Sequence, residues 1–234
     1  MPDIRDIERV AIIGAGLIGS SWAALAMGHG LNVTAYDPAP GAEERFRHVV
    51  ERAREQLAEL GLANTGQYEF TTDLDEALQG VDFVQENGPE SEAAKRELLA
   101  RLDAALPPEV IIASSTSALL RSAIVADCRD KRRVIVAHPF NPPHLVPLVE
   151  IVGEDEAVVA KAAAFYRSLD RRPVILQREM PGHVANRLAS ALYREAVHLV
   201  EQGVASVAEI DAALCNGPGL RWALMGPHMT YHLG

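Results

Sequence analysis

Short apolar runs alternate with longer amphipathic stretches between Arg9 and Gln177. The runs at 9–13, 31–36, 68–71, 81–85, 110–113, 134–137, 147–152 and 173–177 have strand length and predict buried strands. Helical spacing of apolar residues fills the gaps, over 17–27, 38–60, 73–80, 90–106, 119–127 and 154–169. Strands alternating with helices make an α/β, doubly wound, mostly parallel sheet. Strand signals stop after Gln177. An amphipathic helix over 187–203 ends at Gly203, and Ser206 with Glu209 forms a capping box for a helix through Leu214. GPGLRW (217–222) reads as a turn, and 222–233 as the start of another helix. The division falls at 180–182, giving a first domain over 1–180 and an all-helical second domain over 181–234. The second has no obvious finish and is expected to be incomplete.

The polar residues that break this pattern gather at strand ends. GAGLIG (14–19) follows the first strand and opens the first helix. Gly14 permits a tight turn, Gly16 lets a pyrophosphate approach the backbone, and Gly19 lets the helix pack on the strand. The helix N-terminus at Leu17 and Ile18 offers free N–H groups and a partial positive charge to phosphates. Asp37 ends the second strand, placed to bind an adenosine ribose and to repel a 2′-phosphate, which favours NAD over NADP. Strand, glycines, helix, strand and acid form the Rossmann fingerprint in its required context. Glu86–Asn87, SSTS (114–117) and His138 also fall at strand C-terminal ends, where such sheets bind ligands.

His138 stands at the end of one apolar run, and Glu150 lies inside the next. A carboxylate in an apolar strand is costly without a partner. His138 is the nearest candidate, which makes an acid/base couple; Arg132 and Arg133 are the alternatives.

Composition narrows the partners. The 234 residues are 48% hydrophobic and carry a net charge of -10, enough for a sizeable core and adverse to nucleic acid or anionic membranes. Cys128 and Cys215 have no disulfide or metal-like spacing, so no metal is expected and the compartment is reducing, by default the cytoplasm. The charged N-terminus reads as no signal peptide, and no apolar run reaches membrane length.

From Val10 onwards these motifs resemble the 3-hydroxyacyl-CoA dehydrogenase family. The resemblance is carried by GAGLIG, SSTS, HPFNPP, LVEIV, PGHVANRL and GPGLRWALMGP. CoA-using members typically read HFFNP where this chain has HPFNP, and their helical arm between Asp37 and Thr71 is longer. HPFNPP and GPGLRW are similar to the branch that acts on free hydroxy acids, the carnitine and gulonate dehydrogenases. QENGPE and TYHL look closer to the carnitine side.

The resemblance implies a catalytic set of Ser117, His138, Glu150 and Asn186. His138 would take the hydroxyl proton while hydride leaves for the nicotinamide, Glu150 would orient the imidazole, and Ser117 and Asn186 would hold the substrate oxygen. It extends the NAD-binding set to Glu86, Lys95, Ser115 and Asn141, and implies a homodimer. Arg221, in the GPGLRW turn, would read a substrate carboxylate with its guanidinium fork. Other roles stay open: SSTS as a helix cap, Asn186 as a helix N-cap, Arg221 as a surface residue, Trp222 as core or as a cover for a trimethylammonium group. Two further functions compete, the CoA-ester enzyme of fatty-acid metabolism and an NADH-binding structural protein without turnover.

Overall fold

The structure, a computed structural model, describes residues 7–62 and 65–233. The N-terminal stretch read above as no signal peptide lies in part (1–6) outside the described residues. The first elements are β1 (Arg9–Ile13), α1 (Leu17–Gly28), β2 (Asn32–Tyr36), α2 (Ala42–Glu59), β3 (Tyr68–Thr71) and α3 (Leu74–Ala77). They continue with β4 (Phe83–Glu86), α4 (Glu92–Ala105), β5 (Ile111–Ser114), α5 (Arg121–Ile124), β6 (Val134–Pro139), β7 (Leu148–Val152), α6 (Glu156–Ser168) and β8 (Arg172–Ile175). Four helices follow: α7 (Ala185–Glu201), α8 (Val207–Asn216), α9 (Pro218–Leu224) and α10 (Pro227–Leu233).

The strands form one eight-stranded sheet in the order β3-β2-β1-β4-β5-β6-β7-β8. The doubly wound, mostly parallel architecture is the one the apolar pattern predicts. Its core is split by strand alternation. Val10 and Ile12 join α1, α2 and α6 on one face, while Ala11 and Ile13 join α3, α4 and α5 on the other. Both faces are covered, so the central strands read as unbroken apolar runs.

The exception to parallel pairing is the β6–β7 junction, which is antiparallel. A parallel return needs a crossover of roughly a dozen residues or more. The link over 140–147 is too short and turns straight back. The register that results sets His138 opposite Glu150.

Some predicted bounds move. The helix expected from Pro38 begins at Ala42, because Gly41 takes a left-handed φ of 71° at its N-cap. The helical reading of 119–127 shrinks to α5, whose N-cap, Leu120, supplies no side-chain acceptor.

The chain divides into two compact units, Met1–His183 and Val184–Gly234. In the second, Ser206 and Glu209 form the predicted capping box of α8. GPGLRW is not a turn: Pro218 sits in the first turn of α9, where its fixed φ suits a helix, and Arg221 and Trp222 are helical. None of the residues of α7 to α10 is buried. Among the described residues, no helix is long and apolar enough to cross a membrane.

Candidate active site

The glycine turn is shaped by what surrounds it. Gly14 has φ +92°, and a Cβ there would sit 2.6 Å from the Asn87 carbonyl oxygen. A Cβ on Gly19 would sit 2.0 Å from the Gly14 oxygen and 3.0 Å from Ile12 Cγ2. Gly16 differs: nothing lies within 4 Å of its Cβ position. It opens onto a cavity of about 500 Å³ lined by Gly14, Tyr36, Asp37, Asn87 and Gly88. Gly16 caps α1 without a side chain, and no acid occupies the first turn. The N–H groups of that turn are therefore unspent and positively polarised. This bare cradle suits a pyrophosphate. Asp37 braces it, accepting from Ala15 N at 3.0 Å and Ala39 N at 2.9 Å. A carboxylate has about four acceptor positions, so Asp37 keeps capacity for a ribose.

A second cavity, about 220 Å³, shares Asn87 and Gly88 with the first. Ile18, Glu90, Lys95, Ser115, Ser117, His138 and Asn141 complete most of its wall. Glu86, expected to face the cofactor, is fully enclosed. Its oxygens accept from Lys95 Nζ at 2.8 and 3.0 Å, Gly88 N at 2.6 Å and Ser114 Oγ at 2.5 Å. Those bonds fill its acceptor positions, so Glu86 organises the turn rather than a ligand. Ser115 Oγ donates to Asn87 Oδ1 at 2.7 Å and accepts from Gln85 Nε2 at 2.9 Å.

The acid of this loop that reaches the cavity is Glu90. One of its oxygens accepts from Thr116 Oγ1 (2.7 Å), Ser117 N (2.9 Å), Ser117 Oγ (3.2 Å) and Ala118 N (3.1 Å). Burial pushes its carboxyl up, but these bonds and the Lys95 charge outweigh burial and hold it below the usual range. Ser117 therefore serves no helix as a cap; it is pinned to Glu90.

His138 lines the same cavity, and its Nδ1 lies 2.9 Å from Glu150 Oε2, both side chains being buried. The alternative partners are engaged elsewhere: Arg132 with Asp130, Arg133 with Asp103. An ionised Glu150 only accepts, so Nδ1 donates and Nε2 is left to exchange a proton. His183 stacks on His138, ring centroids 4.7 Å apart and planes 16° apart. His138, Glu150 and His183 bring metal-ligand atoms within 4.8 Å of one another. Lone pairs in two nearly parallel ring planes do not converge on one ion.

Residues 9–180 match the 3-hydroxyacyl-CoA dehydrogenase NAD-binding domain, and residues 182–234 match the C-terminal domain of the same enzymes. The chain belongs to the 3-hydroxyacyl-CoA dehydrogenase family. It is therefore an NAD-dependent oxidoreductase acting on CH–OH. It is 47% identical to an L-carnitine dehydrogenase of Streptomyces coelicolor, over 100% of this chain and 75% of that one. It is 45% identical to a 3-hydroxyacyl-CoA dehydrogenase of Gibberella moniliformis, over 98% and 73%. A solved 5-formyl-3-hydroxy-2-methylpyridine 4-carboxylic acid 5-dehydrogenase, an NAD+-dependent dismutase, superposes with a TM-score of 0.90 at 36% identity, over 97% and 76%.

Within this family member, the first unit gathers Gly14, Gly16 and Asp37 at one cavity and Ile18, Lys95, Ser115, Ser117, His138 and Asn141 at the other. Leu17 is exposed beside them. Asn186 and Arg221 belong to the second unit. Asn186 is the second residue of α7, whose N-cap is Val184, so it is no N-cap. Glu90 and His183 were not singled out by pattern. An acid in a Gly-Pro turn at a strand end, and a histidine after Gly182, were the signals available.

Proposed function

We propose that this enzyme oxidises the 3-hydroxyl of a small free L-3-hydroxy acid of carnitine type. The buried His138–Glu150 pair at the cavity wall carries the reading. NAD supplies the hydride acceptor. The unspent N–H groups of α1 and the bare Gly16 would hold its pyrophosphate, with Asp37 at its ribose and Lys95, Ser115 and Asn141 at the nicotinamide end. His138 Nε2 takes the hydroxyl proton as the carbonyl forms, and Glu150 stabilises the resulting imidazolium. A positioned base of this kind is worth about 10²–10⁴-fold in rate. The Ser117 hydroxyl turns from Glu90 to donate its single hydrogen to the substrate oxygen, its backbone N–H keeping the tether, and Asn186 is assigned the same task. Arg221 pairs with the substrate carboxylate, its helical setting in α9 holding the guanidinium on a rigid element.

L-carnitine dehydrogenases at 45–48% identity support the carnitine-type acid. So does Pro139 beside His138, where the resemblance separates free-acid from CoA enzymes. We further propose a homodimer. The apolar residues Leu188, Leu192, Val197 and Val200 of α7 are exposed, and a second copy would cover them. The cytoplasm fits two cysteines that are both free.

The test is a panel of carnitine, gulonate, 3-hydroxybutyrate and 3-hydroxybutyryl-CoA, followed by formation of reduced nicotinamide. Carnitine should give the highest kcat/KM. Preference for the CoA ester would move the enzyme to fatty-acid chemistry, and tight NADH binding with no turnover would make it a binding protein.

A further inference from the structure

His183 closes the first unit and is only 3% exposed. Its backbone lies in the left-handed region at φ 52°, directly after Gly182 at φ 76°. A non-glycine residue there is uncommon and persists only where its surroundings over-determine it. Two contacts do so. The ring lies flat on the His138 ring at 4.7 Å. Its Nδ1 is 3.2 Å from the Ser117 carbonyl oxygen. A carbonyl only accepts, so Nδ1 carries the hydrogen and the lone pair is on Nε2. One side chain thus touches both the base and the backbone of the serine.

We propose that His183 is a positioning residue, fixing the His138 imidazole and Ser117 relative to each other while the proton moves. This rests on the roles given to His138 and Ser117 above. The bond from His138 Nδ1 to Glu150 fixes the direction of that ring but leaves its tilt free. A parallel ring against its face removes the tilt. The Ser117 loop is tethered to Glu90 through its N–H and hydroxyl. The His183 bond engages the remaining backbone group, the carbonyl.

The ring must be neutral to do this, since two stacked imidazolium ions repel. The groups acting on it are His138, Glu150 and Glu90. Burial chiefly, and His138 next, hold its pKa below the ordinary histidine value, against the Ser117 bond and the two carboxylates. When His138 gains the substrate proton, it then meets a neutral aromatic face, an attractive pairing for a cation.

Three variants separate the contacts. His183→Phe keeps a ring and loses the donor. His183→Asn keeps a donor near Nδ1, loses the stack, and tolerates positive φ. His183→Ala loses both. In the active enzyme, His183→Ala should lower kcat about 100-fold, and each of the other two about tenfold. KM and NADH affinity should stay near wild type, and the acid limb of the kcat/KM profile should shift in the two variants without a ring. Unchanged kcat and pH profile in His183→Asn and His183→Ala, or a loss confined to KM, would overturn the proposal. If His183→Ala does not fold, His183→Phe decides, because it keeps the ring volume. A second readout needs no turnover. Long-range proton–nitrogen NMR of the imidazoles should show His183 as the Nδ1–H tautomer, with His138 signals displaced in His183→Asn. Failure of the wild-type chain to oxidise any acid would sink the functional reading alone. An undisplaced His138 signal would sink the positioning role alone.

Discussion

His138 and Glu150 face each other across the antiparallel junction of an otherwise parallel sheet, Nδ1 to Oε2 at 2.9 Å. Cross-strand neighbours share one face of the sheet, so the pairing follows from register and needs no loop to hold it. Replacing Glu150 with Gln keeps the shape but removes the charge that stabilises an imidazolium. We expect kcat to fall about 10²–10⁴-fold with NADH affinity unchanged. Steady-state kinetics beside fluorescence titration of NADH checks this, and an equal loss of NADH binding would contradict it.

The glycine turn predicts two distinguishable phenotypes. Gly16→Val adds atoms only to open space, at an extended backbone position of φ -71° and ψ -167°. It should leave the melting temperature alone and abolish NADH binding by filling the cradle. Gly19→Ala forces a Cβ to 2.0 Å from the Gly14 oxygen. It should destabilise the fold by about 1–3 kcal/mol and weaken NADH binding as well. Calorimetry with and without NADH separates the two; tight binding by Gly16→Val would count against a pyrophosphate at that turn.

Glu90→Ala removes one acceptor from Thr116, Ser117 and Ala118 together. The loop carrying the serine should loosen, costing about tenfold to 100-fold in kcat/KM. Glu90→Gln, which keeps an acceptor oxygen, should recover part of that. Equal loss in both variants would mean the charge rather than the tether matters.

Acid should weaken the fold through two buried histidines, His144 and His183, and the partly buried His29. Burial is the largest cause holding His29, His144 and His183 below the ordinary value; Arg171 adds to it at His29 and His144. Each binds a proton more readily once unfolded. The stability they contribute is present above the unfolded value, about pH 6.5, and is lost as pH falls from there through their lower folded values. Melting temperature should decline on acidification across that window. His144→Gln, which removes a ring bonded to Ser21 Oγ at 2.7 Å and Gln56 Oε1 at 2.7 Å, should flatten the decline. A level melting temperature throughout would exclude this account.

Arg221→Met should raise KM for a free hydroxy acid about 100-fold while leaving any CoA-ester activity near wild type. Parallel losses on both substrates would show that Arg221 supports α9 rather than reading a carboxylate.

Much of this was legible in local pattern. Strand and helix periods, the glycines of GAGLIG and the Ser206–Glu209 box are short-range signals, each set by backbone geometry within a few residues. GPGLRW misled because glycine and proline usually mark turns, whereas a proline in the first helical turn starts a helix. Glu86 misled because an acid at a strand end looks available; a buried lysine nine positions on, Lys95, had claimed it.

His138 and Glu150 read along the chain as a couple because His138 is the nearest candidate, but Arg132 and Arg133 stayed open as partners. Topology joined the couple: a link too short for a crossover forces β7 back along β6 and sets the register. Glu90 on Ser117 and His183 on His138 are contacts of the same kind, between residues distant in the chain. Periodicity reports which face of an element is apolar. It does not report which side chain another element will bring against it, because that depends on how the whole sheet is wound.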